Sequence, residues 1–194
     1  DVEKILAEIA PVDETMDSAI GEEIAQAEQE KPIVRRILIA DDSTVARKQV
    51  ERAITSIGFE VVSVKDGKEA YNKLIEMAQE GNIYDQISLV ISDIEMPEMD
   101  GLTALREIRK ENKYLPIIMF SSLTHKGAQA AVMALTAGAS DYVGKPANAT
   151  GGIDDAFKVL ETELIPKIIG LAKRIKSRRA REEGAAEASR SDPA

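Results

Sequence analysis

Three short apolar runs in this chain each stop at a polar cluster. Residues 35–40 run into Asp41-Asp42, Leu89–Ile91 runs into Ser92-Asp93, and Ile117–Phe120 runs into Ser121-Ser122. A run of four to eight β-formers bounded by turn signals reads as a buried strand. Between these runs the apolar period lengthens to that of a helix. After strand 35–40, a helix is expected over Ser43–Ile57, with Val45, Val50, Ala53, Ile54 and Ile57 on its buried face and Gly58 as its stop. Strand Phe59–Val64 follows, then a helix from Asp66-Gly67 to about Glu80. Strand Leu89–Asp93, helix Leu102–Lys110, strand Pro116–Ser121, helix Gly127–Ala137 and a short strand Asp141–Gly144 complete the series. A last amphipathic helix is expected from near Ile153 past Leu164, bent or restarted at Pro166. Five strand–helix repeats predict an α/β fold, a doubly wound five-stranded parallel sheet with helices on both faces. The strands are apolar on both sides, so both faces must be covered.

Outside this series, residues 1–11 carry apolar side chains at 2, 5, 6 and 9 and end at Pro11, one helical face. Residues 12–33 are an acidic stretch read as a linker, 34–165 as the folded domain, and 166–194 as a helical extension with a disordered tail. The first residue, Asp1, reads as the start of a fragment or processed product. Aromatic content is only 4% with no tryptophan, so the core is aliphatic. The absence of cysteine excludes disulfides, zinc–thiolate sites and thiol nucleophiles, and fits the reducing cytoplasm. A net charge of −9 argues against nucleic acid as the main partner. No stretch approaches the roughly 20 apolar residues of a membrane span.

In a parallel sheet the carboxyl ends of all strands share one edge, which is where α/β proteins keep their chemistry. Asp41, Asp42, Asp93, Ser121 and Lys145 each fall at or just after a strand end. Clustered carboxylates repel and raise one another's pKa, a conflict that a divalent cation removes. Hard oxygen ligands suit Mg²⁺. An ammonium from Lys145 and a hydroxyl from Ser121 complete a site for a phosphoryl group, with Asp93 as the nucleophile that forms an acyl phosphate. Each residue also has a plainer reading. Asp41-Asp42-Ser43 are good helix N-caps, Asp66 and Asp100 are turn residues beside glycine, and the lone His125 is a solvated loop residue.

The spaced set Asp41-Asp42, Asp93 within Asp-Ile-Glu-Met-Pro-Glu-Met-Asp-Gly, Ser121, Tyr142 and Lys145-Pro146 resembles a response-regulator receiver domain over residues 35–165. The resemblance implies the flavodoxin/CheY-like three-layer α/β/α fold with strand order 2-1-3-4-5. It implies Mg²⁺ held by Asp42, Asp93 and the Glu95 backbone carbonyl, with Asp41 acting through a water. It also implies switching by Ser121 and Tyr142, and a cis Lys145–Pro146 bond. The implied partners are a CheA-like histidine kinase and a chemoreceptor and coupling-protein array in the cytoplasm. The implied activity is phospho-acceptance with slow self-dephosphorylation, and no further enzymatic activity. Ala40–Gln49, Ile91–Gly101 and the first ten residues are similar to the coupling protein CheV and its CheW-like domain. Met119–Gly127, Ala139–Pro146 and Glu163–Ile168 are similar to the methylesterase CheB, although no Gly-x-Ser-x-Gly turn is present. A haloacid-dehalogenase-like phosphatase also uses a nucleophilic Asp with Mg²⁺. Its Asp-x-Asp motif does not fit, because Ile94-Glu95 follow Asp93.

Overall fold

Alternate residues of each central strand feed two separate cores, one on either face of the sheet. The computed structural model describes residues 36–122, 127–145 and 157–175. On β1 (Arg36–Ala40), Leu38 and Ala40 enter one core, and Ile37 and Ile39 enter the other. β3 (Leu89–Ser92) divides Val90 from Leu89 and Ile91, and β4 (Ile117–Ser122) divides Ile117 and Met119 from Ile118 and Phe120. Side chains alternate across a strand, so burial on both faces demands apolar residues throughout. The first core is closed by α2 (Gly67–Glu80), α3 (Gly101–Glu111) and α4 (Gly127–Thr136), through Leu74, Leu105, Ile108 and Ala134. The second is closed by α1 (Thr44–Ser56) and α5 (residues 157–175), through Val50, Ile54, Leu160, Leu164 and Ile168.

All strands are parallel in the order β2-β1-β3-β4-β5, with β2 (Glu60–Val64) and β5 (Asp141–Lys145) at the edges. This is the three-layer, doubly wound arrangement expected from the sequence. The chain winds outward in both directions from the β1/β3 pair, so the loops leaving those two strands part and leave a crevice between them. Three side chains cap helices along this edge. Ser43 Oγ accepts from Ala46 N at 3.3 Å, Asp66 Oδ1 from Glu69 N at 2.8 Å, and Asp100 Oδ1 from Thr103 N at 2.8 Å. Asp66 and Asp100 are therefore N-caps as well as turn residues.

Two expectations are corrected. Val45, assigned to the buried face of α1, is 68% exposed. It lies five residues before Val50, which at 3.6 residues per turn places it roughly 140° round the helix from that side chain. Pro166 does not restart the last helix: α5 continues through it to residue 175. The turn before it, Leu160–Leu164, widens to a π-helix in which Ile165 N donates to Leu160 O. A proline lacks an N–H and crowds the preceding turn, and the wider turn accommodates both. A 3₁₀ turn, Ile83–Asp85, precedes β3 with no counterpart in the sequence-based expectation. Segments 1–11 and 12–33, His125, the Lys145–Pro146 bond, the helix start near Ile153 and the tail beyond residue 175 lie outside the described residues.

Candidate functional site

Adjacency of β1 and β3 brings the acids together. Ala40 stands opposite Ser92 in the register, so Asp41 and Asp93 are the next residues on two neighbouring chains. Asp93 N donates to Ala40 O at 2.8 Å, holding the two strand ends in step. The carboxylate oxygens of Asp41, Asp42 and Asp93 lie within 4.8 Å of one another. Asp41 and Asp93 are buried and Asp42 is exposed. Lys145, the last residue of β5, crosses the end of β4 to reach them. Its ammonium donates to Asp41 Oδ2 at 2.7 Å and to Asp93 Oδ2, and it lies 5.8 Å from the Phe120 ring centroid. The remaining oxygens are also held. Asp41 Oδ1 accepts from Ser43 N at 2.9 Å and Asp93 Oδ1 from Ile94 N at 2.6 Å.

One cation serves two buried acids, and the electrostatics follow from that ratio. Burial raises the Asp41 pKa, against the lowering effect of Lys145 and the Ser43 amide, and the Asp93 charge raises it further. For Lys145 burial works to lower the pKa, but its two carboxylate partners outweigh burial and the net direction is upward. Both pKa values therefore rise, which disfavours the charged form of the acid and favours that of the lysine. Burial is the largest cause at both groups; at Lys145 the two carboxylates together outweigh it, whereas at Asp41 the one lysine, shared with Asp93, does not. A divalent cation would offset the remaining repulsion between the acids. The donor set fits Mg²⁺, with hard carboxylate oxygens from two loops, one of them open to water.

Of the other expected site residues, Glu95 lines a groove of about 740 Å³ together with Asp42, Met96, Arg106 and Met133. Ser121 is buried on β4 opposite Gly144, one step from the Ser122–Lys145 pair. The Tyr142 hydroxyl donates to the Ser121 carbonyl at 3.4 Å and its ring packs on the first core. Ser121 and Tyr142 are thus joined to each other, with no described hydrogen bond from the Ser121 side chain to Asp93.

Two residues that shape the site carry no distinctive signal in the sequence. Gly101 N donates to Ile94 O at 2.8 Å, and a Cβ at this position would fall on the Asp93 carbonyl. Only glycine lets α3 start so close behind Asp93; in the sequence it looks like an ordinary Asp-Gly turn. Arg47 donates to the Asp41 carbonyl at 2.5 Å, and no spacing rule separates it from its neighbour Lys48.

Comparison with known proteins agrees with this geometry. A family model described as "Response regulator receiver domain" matches residues 37–155. A protein-glutamate methylesterase/protein-glutamine glutaminase of Trichodesmium erythraeum is 43% identical over 135 residues, 69% of this chain and 36% of that protein. An Archaeoglobus fulgidus protein of the same description is 42% identical over 134 residues, 69% of this chain and 35% of that protein. The chain therefore spans about a third of the length of these relatives. The response regulator domain of Thermotoga maritima CheB superposes with a TM-score of 0.59 at 34% identity, covering 72% of this chain and 97% of that one. TrrA of the same organism, solved in complex with Mg²⁺ and BeF, gives a TM-score of 0.52 at 29% identity, covering 71% of this chain and 98% of that one.

Proposed function

The chain belongs to the response regulator receiver family, and from that premise we propose that Asp93 accepts a phosphoryl group from a CheA-like histidine kinase. The observation that carries the reading is the single Lys145 ammonium shared between Asp41 and Asp93, with Asp42 within reach of both. Asp42, Asp93 and the Glu95 backbone carbonyl would hold Mg²⁺, with Asp41 acting through a water. When bound, the ion supplies positive charge against the oxygens of the migrating group.

The chain's own residues do the rest. An Asp93 oxygen attacks phosphorus; the P–N bond of the donor phosphohistidine breaks as the P–O bond of the acyl phosphate forms, and the imidazole leaves with the electron pair. Lys145 turns from the carboxylates to a phosphoryl oxygen, which carries more charge than the acid it leaves. The Ser121 hydroxyl donates to another. Drawing Ser121 inward shifts the β4 carbonyl that holds the Tyr142 hydroxyl, so the surface of α4 and β5 is biased toward a second state. Attack by water on phosphorus breaks the P–O bond to Asp93, releases inorganic phosphate and returns the carboxylate, which resets the module slowly.

The setting that fits is chemotaxis signalling in the cytoplasm, among receptors and coupling proteins, with neither a nucleic acid nor a membrane span required. Among the described residues no helix is long and apolar enough to cross a membrane. The methylesterase relatives support a CheB-like parent protein for this receiver, and the first ten residues support a CheV-like one. The receiver works the same way in either, as a phospho-acceptor and not as an enzyme with a separate substrate.

Acetyl phosphate with Mg²⁺, read by intact mass, tests the proposal. One phosphoryl adduct is expected on the wild type and none on Asp93→Ala or in the presence of EDTA. An unmodified wild type, or an equally modified Asp93→Ala, overturns it.

A further inference from the structure

The β1–α1 loop is gripped at a point the proposed chemistry does not use. Arg47 Nη1 donates to the Asp41 carbonyl at 2.5 Å, and Nη2 reaches Thr44 Oγ1 at 3.4 Å. Asp41 is also tied through its N–H to Val64 O at 3.2 Å and through Oδ1 to Ser43 N at 2.9 Å. Every polar group of Asp41 therefore has a partner. Asp42, the next residue, is exposed, and no hydrogen bond or ion pair holds its side chain among the described residues. Its direction is set by the peptide it shares with Asp41, and the oxygen of that peptide is the one Arg47 holds.

We infer that Arg47 is a positioning residue: by gripping the Asp41 carbonyl it fixes the Asp41–Asp42 peptide and presents the Asp42 carboxylate to a divalent cation. The inference rests on the reading of Asp42 and Asp93 as Mg²⁺ ligands. Charge alone works in the opposite direction. A guanidinium beside a cation site repels the cation, so a purely electrostatic Arg47 would weaken binding and its removal would tighten it. Positioning predicts the reverse, because a loosened Asp42 must be ordered each time the ion binds. The ordering cost of one residue corresponds to about tenfold in affinity.

The test is calorimetric titration of the whole chain with MgCl₂ and no phosphodonor. Arg47→Met is expected to bind about tenfold more weakly than the wild type. Arg47→Gln, which keeps a neutral donor, is expected to recover most of that loss. Arg47→Met binding as tightly as the wild type, or more tightly, overturns the inference. Should Arg47→Met fail to fold, Arg47→Lys and Arg47→Gln decide between the two effects. Both keep a donor, so matching affinities support positioning, whereas tighter binding by Arg47→Gln alone assigns the effect to charge and overturns it. Asp42→Asn separates the two levels of the reading. If it loses Mg²⁺ while Arg47→Met keeps it, only the inference falls. If Asp42→Asn binds like the wild type, or the wild type does not bind, the metal reading falls and takes the inference with it.

Discussion

Two partly buried cations lie at opposite ends of the same sheet and are compensated in opposite ways. Where the strands finish, Lys145 meets two carboxylates that repel each other. Where the strands begin, Arg109 of α3 meets backbone carbonyls: Gly138 at 2.7 Å, Asn112 at 3.0 Å and Leu115 at 2.7 Å. It makes no ion pair among the described residues, and burial lowers its pKa. Carbonyl dipoles neither titrate nor leave, so Arg109 is a permanent staple that joins the end of α3 to the segments entering β4 and β5. Carboxylates can be protonated, bind a metal or accept a phosphoryl group, so the partners of Lys145 are open to exchange. Backbone strain sorts the same way. The described glycines in the left-handed region, Gly58 at φ 85° and Gly138 at φ 103°, both lie where a helix hands over to a strand. The only described non-glycine with positive φ, Glu98 at 60°, lies in the loop between β3 and α3 that also carries Asp93 and Glu95.

Removing each cation in turn puts this contrast under the greatest strain. Arg109→Met leaves three carbonyls without their charged donor and is expected to cost on the order of 4 kcal/mol, with or without Mg²⁺. Lys145→Met leaves two acids unpaired and is expected to cost about 3 kcal/mol in EDTA, but saturating Mg²⁺ restores a large part of it, because an ion that binds the folded state stabilises it. Urea unfolding in EDTA and in Mg²⁺ reads both. Rescue of the arginine variant, or none of the lysine variant, removes the distinction between staple and site.

A smaller effect comes from the loop. Glu98→Gly relieves a left-handed conformation that costs a side chain roughly 1–2 kcal/mol, offset in part by a freer unfolded chain. A net gain of about 0.5 kcal/mol is expected in the same assay. A loss of stability would show that the Glu98 side chain contributes more than its backbone costs.

The smallest effect links the acceptor to β5. Burial, and then the Asp93 charge, push the Tyr142 hydroxyl above its ordinary value of 10.0. A raised folded-state pKa gives stability that is complete below the unfolded-state value and is lost as pH rises through the folded one. Asp93→Asn removes the second cause, so Tyr142 ionises earlier in an alkaline absorbance titration referenced to Tyr142→Phe. An unchanged curve would break the electrostatic link between acceptor and strand.

Much of this was legible in one dimension. The strands declare themselves as short apolar runs that stop at turn residues and the helices by a period of 3.6, and strands that are apolar throughout require helices on both faces. A parallel sheet gathers its strand ends, so Asp41, Asp42, Asp93 and Lys145 could be placed along one edge before any coordinate was known. The exposure of Val45 also follows from helical arithmetic, since its angle to Val50 is fixed by their spacing alone.

What only the tertiary structure decided is which partner each polar group meets. Lys145 and Arg109 are both basic residues near turns, and Asp41 and Asp42 are adjacent acids. Yet one cation bridges buried acids and the other staples carbonyls, and one acid is 2% exposed while its neighbour faces solvent. Local pattern carries no information about that. Partners such as Lys145 and Asp93 are 52 residues apart, and they meet because the packing of strands and helices brings them within a few ångströms.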